Sequence, residues 1–277
     1  MTGADLCLDE KIDLSDYLED LFHGPAAHLA DRFSIQPIQS TNESIPETPG
    51  VNTGNGNPIQ CSELTDPTGL KRLLDAYAKM QFPGDDVRSV VSFWSQWYFG
   101  FLLPPLLLLT NAAQSDAPSS LFDLYLSLDQ NGQPQRFNLS NPVVMSSGKD
   151  RDAFERLTPL IDNHLSPLVF SLSARSGVSA KVFWMNAAVV IDYTYDVLLD
   201  RKGIDLKQVT GSPTRPNGQR NPLFSPYRPS GSEATRTRRV CCLRYALEGV
   251  ARCTDCSLKP TTGQEQRPIV LGASASN

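Results

Sequence analysis

A chain of 277 residues, 40% apolar and 20% charged, can bury a full hydrophobic core, as one large domain or two small ones. This ordinary globular composition excludes low-complexity and fibrous classes. The net charge of −5 conceals a gradient, with residues 1–50 carrying −8 and residues 201–277 carrying +8. That asymmetry suits an anionic partner at the basic end, an acidic segment folded over a basic one, or two solvated faces with nothing bound.

The opening Met-Thr-Gly-Ala-Asp-Leu-Cys has no basic start followed by an apolar run, so no secretory leader is expected. In a reducing cytosol, clustered cysteines act as ligands more often than as disulfides. Cys7 and Cys61 stand alone and read as ordinary buried or loop thiols. From Asp9 to Arg32, apolar residues recur at Leu14, Tyr17, Leu18, Leu21 and Phe22, which predicts a helix broken at His23-Gly24-Pro25, with a short second helix over Ala26–Phe33. Residues 35–63, rich in Pro, Ser, Thr, Asn and Gly, read as a long irregular connection. Gly54-Asn55-Gly56 follows no strand and opens no helix, so a nucleotide loop is not supported.

Asp66-Pro67-Thr68 predicts a helix start, and Pro83-Gly84-Asp85-Asp86 predicts both its end and the cap of the next helix. The twenty residues from Val90 to Leu109 carry no charge, long enough to cross a bilayer. Ser92, Ser95, Gln96 and a break at Pro104-Pro105 favour a buried core helix followed by a second apolar turn, with Trp94, Trp97 and Tyr98 in the core. Leu121–Leu128 and Pro134–Leu139, joined through Asn131-Gly132, predict a β-hairpin, with a further short strand at Val143–Met145. Asp150–Ala174 has helical spacing but contains Pro159 and Pro167, which predicts a kink or a split. A second long helix, Val178–Arg201, follows Ser176-Gly177 and closes at Gly203, antiparallel to the first. His164 reads as a structural histidine. Five prolines and three arginines between Ser212 and Ser232 form an irregular basic loop, and Leu243–Val250 suits a short helix closed by Gly249. The tail after Pro260 reads as partly disordered.

Four of the six cysteines fall between Arg238 and Leu258, as the adjacent Cys241–Cys242 and, after ten intervening residues, Cys253-x-x-Cys256. Four thiolates in so short a span suit a tetrahedral metal or an iron–sulfur cluster. Cys253–Cys256 has the spacing of half a zinc site, but adjacent side chains diverge and chelate one small ion only from a strained backbone. A two-iron cluster spreads its thiolates more widely, so spacing favours it over zinc. A redox dithiol at Cys253–Cys256 lacks the βαβ context of its type.

The cysteine spacing resembles the signature of the ferric-siderophore reductases of the FhuF type. Also similar are the run Arg239-Val240-Cys241-Cys242-Leu243-Arg244-Tyr245, the approach Asn221-Pro222-Leu223, Gly100 to Pro105 and Trp184-Met185-Asn186. The resemblance covers most of residues 65–258, and the cysteine spacing is its specific part. It implies a two-iron two-sulfur (2Fe-2S) cluster held by Cys241, Cys242, Cys253 and Cys256, and reduction of siderophore-bound Fe³⁺ to Fe²⁺ in the cytoplasm. Fe³⁺ is a hard ion held by charged oxygen chelators, and Fe²⁺ is held far more weakly, so one electron releases the metal. Such transfer needs no acid–base or nucleophilic residue, in keeping with three histidines and no recognisable triad. The arginines around the cysteines compensate the cluster's negative charge. Arg239 and Arg244 first, then Arg228 and Arg238, are the candidate contacts for an oxygen-rich ferric chelate of the hydroxamate type. Electrons are expected from an external carrier such as a ferredoxin or a flavin reductase. No nucleic-acid partner is expected, and association with the inner-membrane face stays open.

The expected fold is α+β and mainly helical, with antiparallel helices packed on a small antiparallel sheet and a C-terminal cysteine-ligated iron–sulfur segment. Residues 1–64 read as an acidic N-terminal helix and irregular connection, 65–205 as a helical body with the β-hairpin, and 206–277 as a basic loop and cluster-binding segment forming one compact unit with that body. Two rivals stand beside the reductase reading. One is a structural-zinc interaction protein. The other is a siderophore-binding protein related to the helical half of siderophore synthetases, although a biosynthetic role needs an ATP site and no motif for one is present.

Overall fold

The computed structural model describes residues 11–36, 58–145, 151–229 and 236–258. The tail after Pro260 and most of the irregular connection lie outside the described residues.

Helix α2 (Val87–Ala113) is the spine. It follows α1 (Pro67–Gln81), and both start where an aspartate caps the helix: Asp66 accepts from Gly69 N–H and Asp86 from Arg88 N–H. The expected break at Pro104-Pro105 is absent, and the helix runs through both prolines. An interior proline costs about 3 kcal/mol, but each fully buried large apolar side chain contributes about 1.5–3 kcal/mol. Here Phe99, Leu102, Leu103, Leu106 and Leu109 are all fully buried, so packing outweighs the lost hydrogen bonds. Gln114 ends the helix in the left-handed region. The buried Arg156 guanidinium donates to Gln114 O and Ser115 O just past that end. Among the described residues no helix is long and apolar enough to cross a membrane.

The expected hairpin forms as β4 (Leu124–Leu128) and β5 (Pro134–Leu139). Gly132 N–H closes a turn onto Asp129 O, and Gly132 itself sits at φ +83°, a geometry that favours glycine. Trp94 Nε1 donates to Gly132 O at 3.1 Å, fixing the hairpin tip to α2. The sheet order is β2 (Phe33–Ile35), β5, β4, β3 (Ile59–Gln60). Its β2–β5 edge is parallel, so the sheet is mixed rather than wholly antiparallel. A separate antiparallel pair joins β1 (Lys11–Asp13) to β6 (Val143–Met145).

The helices predicted for Asp9–Arg32 are not α-helical. The chain forms β1, then 3₁₀ helices at Leu14–Tyr17 and Gly24–Arg32. A spacing of three and four suits either helix type, and the positive φ of Gly24 followed by Pro25 prevents a continuous α-helix. The split expected at Pro159 and Pro167 appears as α3 (Ala153–Leu160), a π turn (Ile161–Leu165) and α4 (Ser166–Ser176). After Gly177 at φ +68°, α5 (Ala180–Tyr193) continues into a second π turn, Thr194–Leu198, three residues short of the predicted end. Gly203 is required where expected, since a Cβ there would meet Asn111 Oδ1 at 1.9 Å. His164 is fully buried and bonded to Tyr98 Oη at 2.8 Å, a core role.

Candidate metal centre

The cysteine segment has almost no regular structure, so each of its turns is fixed by a specific bond. Beyond α6 (Leu206–Gly211), buried Asn221 donates to Val209 O and Ser212 O and accepts from Leu223 N–H, locking the Asn221-Pro222-Leu223 approach. Arg215 forms a two-pronged ion pair with Asp162 on the first π turn. Arg236 packs over the Tyr227 ring and reaches Asp192 and Asp196 on α5 and its π turn. Arg239 N–H donates to Pro226 O, and Arg228 N–H to Thr237 O. Together these bonds lay the strand of chain entering the cysteines against α5.

The adjacent cysteines rest on a polar shelf cut into the apolar spine. Ser92 Oγ on α2 donates to Cys242 O at 2.7 Å. Asn186 on α5 donates to Ser92 Oγ at 3.3 Å and Ser95 Oγ at 3.1 Å. All three are buried, where an unpaired polar group would cost about 1–3 kcal/mol. Leu243 then turns the chain with φ +64°, and its N–H points at Cys241 Sγ, 3.4 Å away. The Arg244 N–H serves Cys242, so successive amides face successive sulfurs, an anion-receiving concavity of the kind common at iron–sulfur sites. In place of the predicted helix over Leu243–Val250 there is one 3₁₀ turn, Arg244–Ala246, and Gly249 reverses the chain at φ +71°. Cys256 N–H donates to Cys253 O, closing the second cysteine pair into a turn.

The structure brings the two halves of the motif together. Cys242 Sγ and Cys253 Sγ are 3.7 Å apart and buried. Two thiolates on one tetrahedral metal, with bonds of about 2.3 Å, stand about 3.8 Å apart. Cys241 and Cys256 are half-buried, and Cys241 has Cys256 and Ser257 among its neighbours. Cys253, then the charge of Arg238, hold the Cys242 thiol down to about 6 against the effect of burial. Cys253 is pushed up by the same shared hydrogen bond and by burial. Burial pushes the Cys241 thiol up. Among the described residues no three His, Cys, Asp or Glu side chains converge as a single-ion cage.

The four candidate arginines occupy different places. Arg238 is buried, with its N–H on Asp255 O and its Nε on Asp255 Oδ1 at 2.7 Å. Burial pulls its guanidinium down, but Asp255 and the two inner thiols more than offset this. It is thus held inside the protein, paired with Asp255 and beside the two inner thiols. Arg244 stacks over Phe93 at 5.1 Å, and burial lowers its pKa against the pull of Cys242 and Cys253. Arg239 lies over the Phe224 ring at 5.7 Å, half-buried, and Arg228 is exposed.

The chemistry of this donor set suits an iron–sulfur group. Two of the four thiols, Cys241 and Cys242, meet backbone amides, and Arg244 Nε is buried with no hydrogen-bond partner among the described residues. Ser257 Oγ is buried beside Cys241. Such donors match the sulfurs of a bound cluster. Ser92 marked only a polar position in an apolar helix and Asp255 carried no sequence signal, since a single acid near arginines is commonplace. Asn186 stood in a run noted for its resemblance, without a role.

Comparison with known proteins agrees with this geometry. Residues 92–237 match the family model described as a ferric iron reductase FhuF-like transporter, and residues 238–258 match the FhuF 2Fe-2S C-terminal domain. The chain is 24% identical over 221 residues to a ferric siderophore reductase of Escherichia coli (strain K12), covering 73% of this chain and 80% of that protein. Among solved structures it is similar to aerobactin synthetase IucA from a hypervirulent pathotype of Klebsiella pneumoniae, at TM-score 0.47 and 12% identity over 61% of this chain and 38% of that one. Aerobactin synthetase IucC from the same source gives TM-score 0.45 at 19% identity, over 61% of this chain and 36% of that one. At those TM-scores the likeness to the synthetases carries no argument about function.

Proposed function

We infer what this chain does from one premise: it belongs to the FhuF-like ferric iron reductase family and carries that family's 2Fe-2S C-terminal domain. We propose that it reduces siderophore-bound Fe³⁺ by one electron in the cytoplasm, leaving the chelator intact and its Fe²⁺ weakly held. Cys241, Cys242, Cys253 and Cys256 would hold the cluster, which supplies reversible one-electron exchange when bound. The observation that carries this reading is the meeting of the two cysteine pairs, with Cys242 and Cys253 Sγ 3.7 Å apart beside Arg238 and Arg244.

The protein's own side chains then have three tasks. Arg238 and the amides of Leu243 and Arg244 stabilise negative charge on the thiolates, which favours the electron-rich state. Phe93, buried beneath the Arg244 guanidinium, and Val240 and Leu243, packed against the core, give this segment an apolar footing. Half-buried Arg239 and exposed Arg228, with Arg244 deeper beside the thiols, offer cations to the charged oxygens of a hydroxamate-type chelate. The electron donor in this proposal is a separate carrier, a ferredoxin or flavin reductase, and contact with the inner-membrane face is compatible with it.

Anaerobically purified protein tests the reading. Expected are two irons per chain, visible charge-transfer absorption, an EPR signal on reduction, and Fe²⁺ release from a ferric hydroxamate to a ferrous-specific trap. Zinc in place of iron would sink it.

A further inference from the structure

Neighbouring cysteines are chemically alike, yet the structure gives Cys241 and Cys242 different surroundings. Cys242 turns inward. Its sulfur meets Cys253 at 3.7 Å, and each of these residues is 2% exposed. Both have Arg238 and Arg244 as charged neighbours. Cys241 turns outward, half-buried like Cys256, with Cys256 and Ser257 among its neighbours. Neither Cys241 nor Cys242 has a positive φ, so no left-handed backbone at either residue turns their sulfurs together. The Cys253–Cys256 turn is divided in the same way, one sulfur in and one out.

We propose that each cysteine pair is split between the two irons: Cys242 and Cys253 ligate one, facing the protein interior, while Cys241 and Cys256 ligate the other, facing the surface. This rests on the cluster reading above and adds the ligand connectivity, which spacing leaves undetermined. The inner ligands lie beside both arginines, and Cys242 is bonded through its carbonyl to the α2–α5 shelf. The outer ligands are those that an approaching chelate or electron carrier meets.

The test uses four single variants of the full chain, Cys241→Ser, Cys242→Ser, Cys253→Ser and Cys256→Ser, loaded with the cluster and reduced. A serine oxygen favours the ferric state of the iron it ligates, so variants that alter the same iron share an EPR g-tensor. Expected are two classes, with Cys242→Ser matching Cys253→Ser and Cys241→Ser matching Cys256→Ser. Any other grouping overturns the proposal. Where a serine variant binds no iron, aspartate at that position supplies the oxygen ligand.

A second measurement needs no variant. Wild-type holoprotein is stripped of its cluster by ferricyanide, which takes up the electrons as two neighbouring thiolates join, and the disulfides are mapped by mass spectrometry. A Cys242–Cys253 link is expected, and Cys253–Cys256 or Cys241–Cys242 overturns the proposal. Protein that groups as proposed but leaves a ferric chelate unreduced sinks the functional reading alone. Protein that reduces the chelate but groups otherwise sinks the connectivity alone.

Discussion

The α2 spine and the cysteine segment are held by opposite kinds of force. Around α2, fully buried Trp94, Tyr98, Leu102 and Leu106 pack on all sides, and burial is non-directional, so many contacts share the load. The segment from Asn221 to Cys256 depends instead on single directional bonds: Ser92 to Cys242 O, Arg238 to Asp255, Arg236 to Asp192 and Asp196. Loss at the spine should therefore appear in stability, and loss at the cysteine segment in activity. Segments that must accept a metal group need placed donors more than bulk.

The largest expected effect is at Cys253. Cys253→Ala should abolish cluster absorption and ferric-chelate reduction, a loss beyond the ~10–100-fold typical of residues that only support a ligand. Its unfolding midpoint, measured on metal-free protein, should stay within about 1 kcal/mol of the parent's, because the helical body is untouched; a collapse of the fold would break the contrast. Trp94→Ala should do the reverse, costing about 3–5 kcal/mol in urea unfolding by emptying a buried site and releasing the hairpin tip at Gly132.

A smaller effect comes from pH. Burial holds His164 down to about 3, whereas the unfolded chain takes up that proton near 6.5. Stability from this group is complete above about 6.5 and falls as pH drops toward 3, by roughly 1–2 kcal/mol at pH 5. Around Asp196, burial is outweighed by Arg236 and Lys207, which hold it below the ordinary carboxylate range. Its bonds should accordingly survive pH 5, so acid loosens the spine first. Urea titrations at pH 7 and 5 check this, and His164→Gln should remove the component.

Much of the helical body was legible because burial leaves a periodic trace. Asp66 and Asp86 marked the starts of α1 and α2, and Asn131-Gly132 marked the hairpin. The failures have local causes. Leu14 to Phe22 shows a spacing that 3₁₀ and α-helices share, and Pro104-Pro105 reads as a break until the packing on every side of it is known. The parallel β2–β5 edge joins Phe33 to Phe137, a pairing that no local pattern encodes. In the cysteine segment the two cysteine pairs stood out by their spacing, but the inward place of Arg238 did not, because its partner Asp255 lies seventeen residues away.

The bond from Ser92 to the Cys242 carbonyl spans 150 residues, which has a consequence for biogenesis. At about 5–20 residues per second, the ribosome needs roughly 8–30 s to add the thiols after the shelf residue has been made. Helix α2 therefore has time to form before any of the four clustered thiols emerges, and iron delivery meets a receptacle already half built. Chains interrupted before Cys241 would fold much of their body yet never acquire colour, so pigment per chain should report completed synthesis.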